Sequence, residues 1–440
     1  MKKRMTSMLS MLFAAAAISG CSGNATVQVE TPPAVEKISE RSMEPVQLEV
    51  WAYYAGWESI EEGFEEKYPN VDLTVKAFPF DAYATVYKEA LASGETPDVM
   101  VVDSEQFGQF TTIAGLENLA DYGAEQYRAD FRESLWDSNY SFDGTSMIGF
   151  PYGSSTLMTY YRADIMEQYG FPSEPEELAL FMENPDNWLA VARALKKDDR
   201  YIAQWATEIT ALYDSTQGVF DESMAFRRNN ETYRNALDFV KKVHEEGLVS
   251  LVDVWTEAGS QTVRDGDLAM LYMGTWGADQ IKAWAPDTSG KWRATRLPFH
   301  LYGWSNSTSF MLPSASDQKA WAWAFIEYAA TEWPLKGIGG SVPAYIPARE
   351  ANAAKLEETD DFFGGQRLYV LNMQLTENMK EHRLTPLDGR AKGIWSQAVN
   401  KGIERKKDAA AIIAEAEQAI LTEMGKEIDI LKSYLPKSSQ

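Results

Sequence analysis

Aromatic and carboxylate side chains follow three short stretches of the chain that have the apolar patterns of strands. They are Tyr53, Tyr54, Trp57, Phe80, Asp81, Asp103, Ser104 and Glu105. Carboxylates accept hydrogen bonds from hydroxyl groups, whereas aromatic rings pack on apolar C–H surfaces. No glycine-rich phosphate loop lies among them. For Asp81 alone, capping of the helix that follows is the simpler interpretation.

The elements that must position these side chains alternate between strand and helix patterns from Val46 to Val102. The segment Val71–Ala77 alternates apolar and polar residues, and Val99–Val102 is an unbroken apolar run typical of a buried parallel strand. Helical spacing precedes each of these two segments. This β-α-β-α-β order predicts an open α/β sheet, in which ligands bind beyond the carboxyl ends of the strands. The aromatic and carboxylate residues are therefore expected along one edge.

The rest of the chain carries weaker strand and helix patterns. We predict a crossing strand within Gly144–Arg162, a helix over Asn184–Lys196, and a strand followed by a helix within Arg264–Ala283. The segment Gly339–Arg349 is predicted to be a connector. Two apolar stripes predict further helices, one through Trp321, Ala324, Phe325 and Tyr328, the other through Ile413, Ala416, Ile420 and Met424.

No catalytic or metal-binding motif is recognisable in the sequence. None of the three histidines has the spacing of a helical zinc site, and the G-x-S-x-G, Walker and CxxC patterns are absent. Residues 137–141 begin like a calcium loop, but Phe142 stands at its glycine position and Ile148 at its final carboxylate position. We therefore predict a protein that is not an enzyme and that has no cofactor and no metal ligands among its site residues, while a structural calcium of another geometry stays open.

Composition limits the partners of the chain. A formal charge of −24 repels nucleic acids and anionic lipid headgroups, so we expect no nucleic-acid binding. The chain has 14 Trp, and pyranose rings stack their apolar faces on indoles while their hydroxyls bind carboxylates and amides. Sugar recognition is thus favoured. A secreted, lipid-anchored glycoside hydrolase is the alternative, since any two of the 65 acidic residues could form an acid/base pair.

The N-terminus has the pattern of an export signal. Basic residues at positions 2–4 precede the apolar segment Met8–Ile18, which is too short to span a bilayer, and Cys21 closely follows it. This arrangement resembles the bacterial lipobox, in which the cysteine receives a diacylglycerol and the peptide before it is removed. Residues 1–20 are then a signal peptide and 21–45 a flexible tether. In the alternative interpretation the protein is secreted and Cys21 is incidental.

Several segments together resemble the carbohydrate-binding branch, family 1, of the extracellular solute-binding proteins of bacterial ABC importers. The segments are FEEKYPNVDLTV, YKEALASGETPDVMVVDS, LENLADY, GFPYGSSTLMTYYRADIMEQYGF, VRDGDLAMLYMGTWGADQI and VPAYIPAREAN. The resemblance covers nearly the whole chain after the tether. The order and spacing of these segments carry the resemblance, and no single segment is sufficient for it.

The resemblance implies a periplasmic-binding-protein-like fold of type II, with two Rossmann-like α/β lobes joined by a multi-strand hinge. The first lobe would hold residues 46–150 and 299–342, the second 151–298 and 343–440. The hinge crossings would fall near Phe150–Thr156, Pro298–Trp304 and Val342–Pro347. A monomer would capture a sugar between the lobes and deliver it to the ABC permease subunits. It would be anchored through Cys21 to the outer face of the cell membrane, on the periplasmic side in a Gram-negative cell.

The resemblance also implies roles for individual residues. Trp276, in the GTWG run, would be the main stacking platform, and Trp395 a second one. Asp103 and Glu105 would accept hydrogen bonds from sugar hydroxyls. The segment YGWSNSTSF departs from the glycine-rich run that is usual in the family, which leaves the number of sugar subsites open. The complete predicted set of ligand-binding residues is Trp276, Asp103, Glu105, Trp395, Tyr54, Trp57, Asp81, Trp205, Glu208, Trp304, Asn306 and Tyr345.

Overall fold

The computed structural model describes residues 44–337 and 342–435. The predicted signal peptide, Cys21 and the tether up to residue 43 lie outside the described residues. Residues 338–341, which include the first three residues of the predicted connector, lie outside them as well.

The strands of the described chain form one seven-stranded sheet. They are β1 (Val46–Ala52), β2 (Val71–Ala77), β3 (Val99–Asp103), β4 (Phe150–Arg162), β5 (Met270–Gly274), β6 (Trp292–Thr295) and β7 (Trp304–Met311). Their order is β2-β1-β3-β7-β4-β5, and β6 pairs with β4. Strands β1, β2 and β3 are mutually parallel, whereas β7 runs antiparallel to both β3 and β4.

Helices cover the strands. They are α1 (Glu58–Lys67), α2 (Tyr83–Ser93), α3 (Ser104–Phe107), α4 (Glu133–Asp137), α5 (Ala163–Gln168), α6 (Pro175–Phe181), α7 (Pro185–Lys196), α8 (Glu208–Asp214), α9 (Glu231–Glu245), α10 (Glu257–Asp265), α11 (Gly277–Trp284), α12 (Lys319–Glu327), α13 (Ile346–Ala351), α14 (Leu368–Asn378), α15 (Asp388–Glu404) and α16 (Ala409–Tyr434). A π-helical turn, Tyr328–Glu332, continues α12.

The predicted β-α-β-α-β opening is confirmed, from β1 to β3. The alternating apolar residues of β1 are buried, as are Val71 and Leu73 of β2, and β3 is buried along its whole length. Gly94 ends α2 in a left-handed conformation with φ 78°, which glycine adopts without strain. The expectation that Asp81 caps α2 is wrong, because Ala82 is the N-cap residue and no side chain caps this helix.

The predicted crossing strand is β4, and it pairs with two different groups of strands. Its first half pairs with β7, from Phe150 opposite Phe310 to Thr156 opposite Trp304. Its second half pairs with β5 and β6 instead. The long strand thus carries the chain from the β1–β3 side of the sheet to the β5–β6 side.

Separate apolar cores lie on the two sides. The core around β1–β3 packs Val50, Phe64 and Phe325 among its buried residues, and it extends to Ala344. The core beyond β4 packs α7, α9, α15 and α16, with Trp188 at 0% exposure. The predicted apolar stripe of α16 is confirmed, because Ile413, Ala416, Ile420 and Met424 are all buried. Among the described helices, none is both long enough and apolar enough to cross a bilayer.

Candidate functional site

Asp103 ends β3 and is the buried carboxylate of the candidate site. Its Oδ1 accepts a hydrogen bond from the Glu105 amide at 2.7 Å, which caps α3. Its Oδ2 accepts from Nδ2 of Asn306, on β7, at 2.9 Å. Burial raises the pKa of Asp103 to about 6, and these two donors oppose the rise. Asp103 is thus a carboxylate at the sheet edge, held in place by its neighbours.

A group of aromatic rings lies beside Asp103, after β1 and before α2. Tyr53 stacks on Tyr83 with ring centroids 5.2 Å apart, and Tyr54 and Phe80 contact its edges. The Tyr53 hydroxyl lies 2.6 Å from Oγ1 of Thr308, on β7. Nearby carboxylate charge on Asp103 adds to burial in raising the pKa of Tyr53, so this phenol stays protonated. The predicted convergence of aromatic and carboxylate side chains at this edge is therefore present.

The predicted residues of this edge differ in exposure. Tyr54 and Phe80 reach the surface, whereas Trp57 is only 3% exposed. The Trp57 indole N–H donates to the Tyr54 carbonyl, and its ring packs on Tyr152. Trp57 supports the aromatic group from below. Asp81 is exposed at the same edge.

A short chain of contacts connects Asp103 to Trp276. Asn306, bonded to Asp103, lies opposite Ser155 in the β4–β7 register. The Ser155 hydroxyl lies 3.0 Å from Oγ1 of Thr275 and accepts from the Thr275 amide at 2.9 Å. Trp276 follows directly. The central strands therefore hold the buried carboxylate of one side and the indole of the other side near each other.

Trp276 precedes α11 and is 40% exposed. A Cβ at Gly274 would overlap the Trp276 indole nitrogen and lie 2.7 Å from the hydroxyls of Ser155 and Ser305. Glycine at this position is thus required for the indole to fold back over the end of β5. The result is an accessible aromatic face beside a group of hydroxyls, an arrangement suited to stacking on a sugar.

Trp304 begins β7 and lies opposite Thr156 of β4. Its ring contacts the His382 imidazole edge-on, with centroids 4.8 Å apart. Within the described part of the chain, the Trp304 indole N–H and Oδ1 of Asn306 are buried without a hydrogen-bond partner. Burial, together with the positive charges of Arg227, Arg228 and Lys392, lowers the pKa of His382 to about 4. His382 is therefore neutral at physiological pH.

Trp395 does not present a stacking face, which corrects the sequence-based prediction. It is 1% exposed, and the Arg228 guanidinium covers one face of its ring at 4.9 Å. Tyr233 meets it edge-on, and Arg228 pairs with Asp214 at 3.2 Å. The amphipathic spacing of α15 turns this indole into the core between α9 and α16, so Trp395 has a packing role in this structure.

Two further predicted residues, Tyr345 and Trp205, have surroundings of their own. Tyr345 packs on Phe131 and Tyr127 at the edge of the β1–β3 core. Trp205 is exposed and lines a cavity of about 370 Å³ with His244 and Leu251. A larger cavity, of about 610 Å³, lies between residues 111–116 and the end of α16. Neither cavity is lined by Trp276 or Asp103.

Two predicted carboxylates have contrasting environments. Glu105 is half exposed and lies 3.6 Å from the ammonium group of Lys392, on α15. Glu208 begins α8, where its carboxylate accepts from the Gln204 amide and from Gln204 Nε2, each at 2.7 Å. Burial raises the pKa of Glu208 to about 7. Glu105 is therefore available to a ligand, whereas Glu208 holds a loop.

The residues that sequence reasoning missed are Trp255 and His382. Tyr53, which follows β1, was expected at the edge where the structure has it. Trp255 is an isolated aromatic in a polar segment without periodicity, which is a weak signal of exposure. Nothing in the sequence indicated that His382 would contact Trp304. Among the described residues, no group of three or more His, Cys, Asp or Glu side chains could hold a metal ion.

Comparisons with known proteins agree on one family. The family model described as bacterial extracellular solute-binding protein matches residues 48–332. The lactose-binding protein of Rhizobium radiobacter is 24% identical over 351 residues, which are 70% of this chain and 75% of that protein.

Solved structures agree with this match. The ABC transporter associated binding protein of B. animalis subsp. lactis Bl-04, in complex with β-1,6-galactobiose, superposes with a TM-score of 0.69 at 19% identity, over 87% of this chain and 98% of its own. The galacto-N-biose-/lacto-N-biose I-binding protein of Bifidobacterium longum, in complex with lacto-N-biose, gives 0.71 at 17% identity, over 88% and 98%. The predicted α/β fold of the binding-protein type is therefore confirmed.

Proposed function

This chain belongs to the bacterial extracellular solute-binding proteins, and from that membership we propose that it captures a sugar or oligosaccharide for an ABC transporter. The sugar stacks on Trp276 and donates hydroxyl hydrogen bonds to acceptors at the Asp103 edge. The permease subunits in the membrane then receive it.

One observation carries this proposal. The contacts from Asp103 through Asn306 and Ser155 to Thr275 and Trp276 join a carboxylate edge to an exposed indole. A saccharide needs both kinds of partner, because its hydroxyls need hydrogen bonds and its C–H faces need an apolar surface. The relatives named above, which bind lactose, β-1,6-galactobiose or lacto-N-biose, support a saccharide as the ligand class.

The binding mechanism that we propose is a shift between open and closed arrangements of two lobes. The lobes comprise residues 46–150 with 299–342, and 151–298 with 343–440. The separate apolar cores on the two sides of β4 support this division. A ligand that contacts Trp276 and the Asp103 edge together has more contacts in the closed form, and so favours it.

The location follows from the family and from the N-terminal sequence. The protein works outside the cytoplasm, as a monomer held to the membrane by a diacylglycerol on Cys21. The lipid on its tether raises the concentration of the receptor near its permease. Metabolic labelling with a palmitate analogue tests this anchor: the wild-type protein should be labelled and the Cys21→Ala variant should not. Equal labelling of both would contradict it.

A glycoside hydrolase was the alternative that the acidic composition left open. The family match over residues 48–332 supports a binding protein instead. Incubation with an oligosaccharide separates the two, because a hydrolase releases new reducing ends and a receptor returns the sugar intact.

A saccharide panel tests the proposed function. We expect at least one of lactose, β-1,6-galactobiose, lacto-N-biose, maltose, cellobiose, xylobiose or their trisaccharides to raise the unfolding temperature, since a ligand of the native state stabilises it by mass action. In calorimetry, Trp276→Ala should weaken the binding of that sugar by about fivefold or more, since stacking contributes about 1 kcal/mol or more. Its unfolding temperature without sugar should change little, because the ring is half exposed.

Two results would contradict the proposal. If no member of the panel shifts the unfolding temperature, the ligand is not a sugar of this kind. If Trp276→Ala binds the sugar as tightly as the wild-type protein, Trp276 is not the platform.

A further inference from the structure

The loop between α9 and α10 presents an aromatic side chain that the proposed site does not use. Trp255 lies in this loop and is 61% exposed, more than any other described tryptophan. An indole left in water forgoes the favourable burial of a large apolar surface. Exposed apolar residues that form a continuous patch beside a binding site commonly take part in binding.

Trp255 is continuous with Trp276. Their ring centroids are 5.9 Å apart and their planes are inclined by 35°. Trp284, at the end of α11, contacts Trp255 edge-on, with ring centroids 5.1 Å apart. The two exposed rings therefore form one aromatic surface, which Trp284 supports.

The loop that carries Trp255 is firmly held. Gln204 is its main anchor, since its carbonyl accepts from the Leu251 amide and its Oε1 accepts from the Val254 amide. The Trp255 amide itself donates to Oδ1 of Asp253 at 3.0 Å. Val254 is buried in the core beside β5. A side chain on such a fixed loop loses little conformational freedom when a ligand packs on it.

We propose that Trp255 provides a second stacking position, one that engages a further sugar unit beyond the one stacked on Trp276. A disaccharide already spans Trp276 and the Asp103 edge in the proposed site, so the unit on Trp255 is a third one and the ligand class is an oligosaccharide of three or more units. This inference rests on the proposed function, because it extends the platform of the same site. The continuity of the two rings identifies the occupant as the sugar chain that already contacts Trp276. Asp253 and Glu257 flank Trp255 in the sequence, which suits a neutral, hydroxyl-bearing partner.

Matched pairs of di- and trisaccharides test this inference by calorimetry. The probes are galactobiose with galactotriose, maltose with maltotriose, cellobiose with cellotriose, and xylobiose with xylotriose. For the pair that the wild-type protein binds, Trp255→Ala should weaken the trisaccharide by about tenfold and the disaccharide by less than about twofold. Trp255→Phe should recover part of the trisaccharide affinity, because it restores an aromatic face.

Leu251→Ala is the control variant. Leu251 lies in the same loop and is 66% exposed, but it is not part of the aromatic surface. We expect it to leave both affinities unchanged. If Trp255→Ala weakens both sugars equally, or neither, the inference is wrong while the proposed function stands. Unchanged affinities with a loss of sugar uptake by cells would also overturn it, and would indicate a permease contact. If the wild-type protein binds lactose or lacto-N-biose but no trisaccharide of the pairs, the inference is wrong and the proposed function stands, whereas both fail if it binds no sugar of the panel.

Discussion

At the scale of single residues, two of the predicted carboxylates are made harder to ionise by burial, one at the candidate site and one in a loop. Asp103 and Glu208 both accept hydrogen bonds from amide groups, and both have pKa values well above those of exposed carboxyls, about 6 and about 7. The donors favour the charged form, but loss of water disfavours it more. Their protonation therefore changes at a higher pH than that of exposed carboxyls, near pH 6 for Asp103 and near pH 7 for Glu208.

Glu208 leads to a prediction about stability and pH. Because its pKa is raised on folding, the native state binds this proton more tightly than the unfolded chain does. The contribution of Glu208 to the free energy of unfolding is therefore most favourable below pH 4.5, which is near the pKa of this carboxyl in the unfolded chain. It is lost as the pH rises to about 7. We expect Glu208→Gln to remove this loss, so that the variant gains about 1–3 kcal/mol relative to the wild-type protein between pH 4.5 and pH 8.

Urea unfolding at several pH values measures this difference. Glu246→Gln is an informative comparison, because Arg193 lowers the pKa of Glu246 by hydrogen bonding. The stability difference between Glu246→Gln and the wild-type protein should have the opposite sign, because this variant loses stability relative to the wild-type protein as the pH rises. If the difference between Glu208→Gln and the wild-type protein does not depend on pH, Glu208 is solvated in the native state.

At the scale of elements, the sequence predicted those strands and helices that are determined by local sequence patterns. The strands β1–β3 and the helices between them follow directly from apolar spacing, and so do β4 and the buried stripe of α16. The cap of α2 was wrong because the helix begins later than Asp81, and a single capping residue is a weak signal beside the turn at Pro79. Boundaries of this kind depend on the loop that leads into the helix.

The roles of the aromatic residues could not be predicted from the same patterns. Trp57, Trp304 and Trp395 are buried, whereas Trp276 and Trp255 are exposed, and the local sequence around the five residues does not separate the two groups. The difference is set by partners that are distant in sequence. The order of the elements predicted that Asp103 would reach the ligand-binding edge, but no local signal predicted that Asn306 would hold it.

At the scale of the whole molecule, one buried ion pair joins segments from both sides of β4. Glu381 follows α14 and pairs with Arg132, which precedes α4. The Glu381 side chain is 0% exposed. It also accepts from Ser134 at 2.7 Å and from Ser154, in the first half of β4, at 2.8 Å. Arg132 donates in addition to the carbonyls of Thr376 and Met379. In the proposed two-lobe division, this network lies at the hinge.

We expect Glu381→Gln to destabilise the protein by about 3 kcal/mol, because it leaves the Arg132 charge buried without a counterion. The matched control is Glu357→Gln, which removes an exposed partner of Arg367 at 3.4 Å and should cost about 0.5 kcal/mol or less. Urea unfolding of the two variants beside the wild-type protein measures both values. If Glu381→Gln is as stable as Glu357→Gln, the carbonyls of Thr376 and Met379 are sufficient to hold Arg132. In that case the hinge depends on backbone acceptors, and the carboxylate of Glu381 is not needed for its stability.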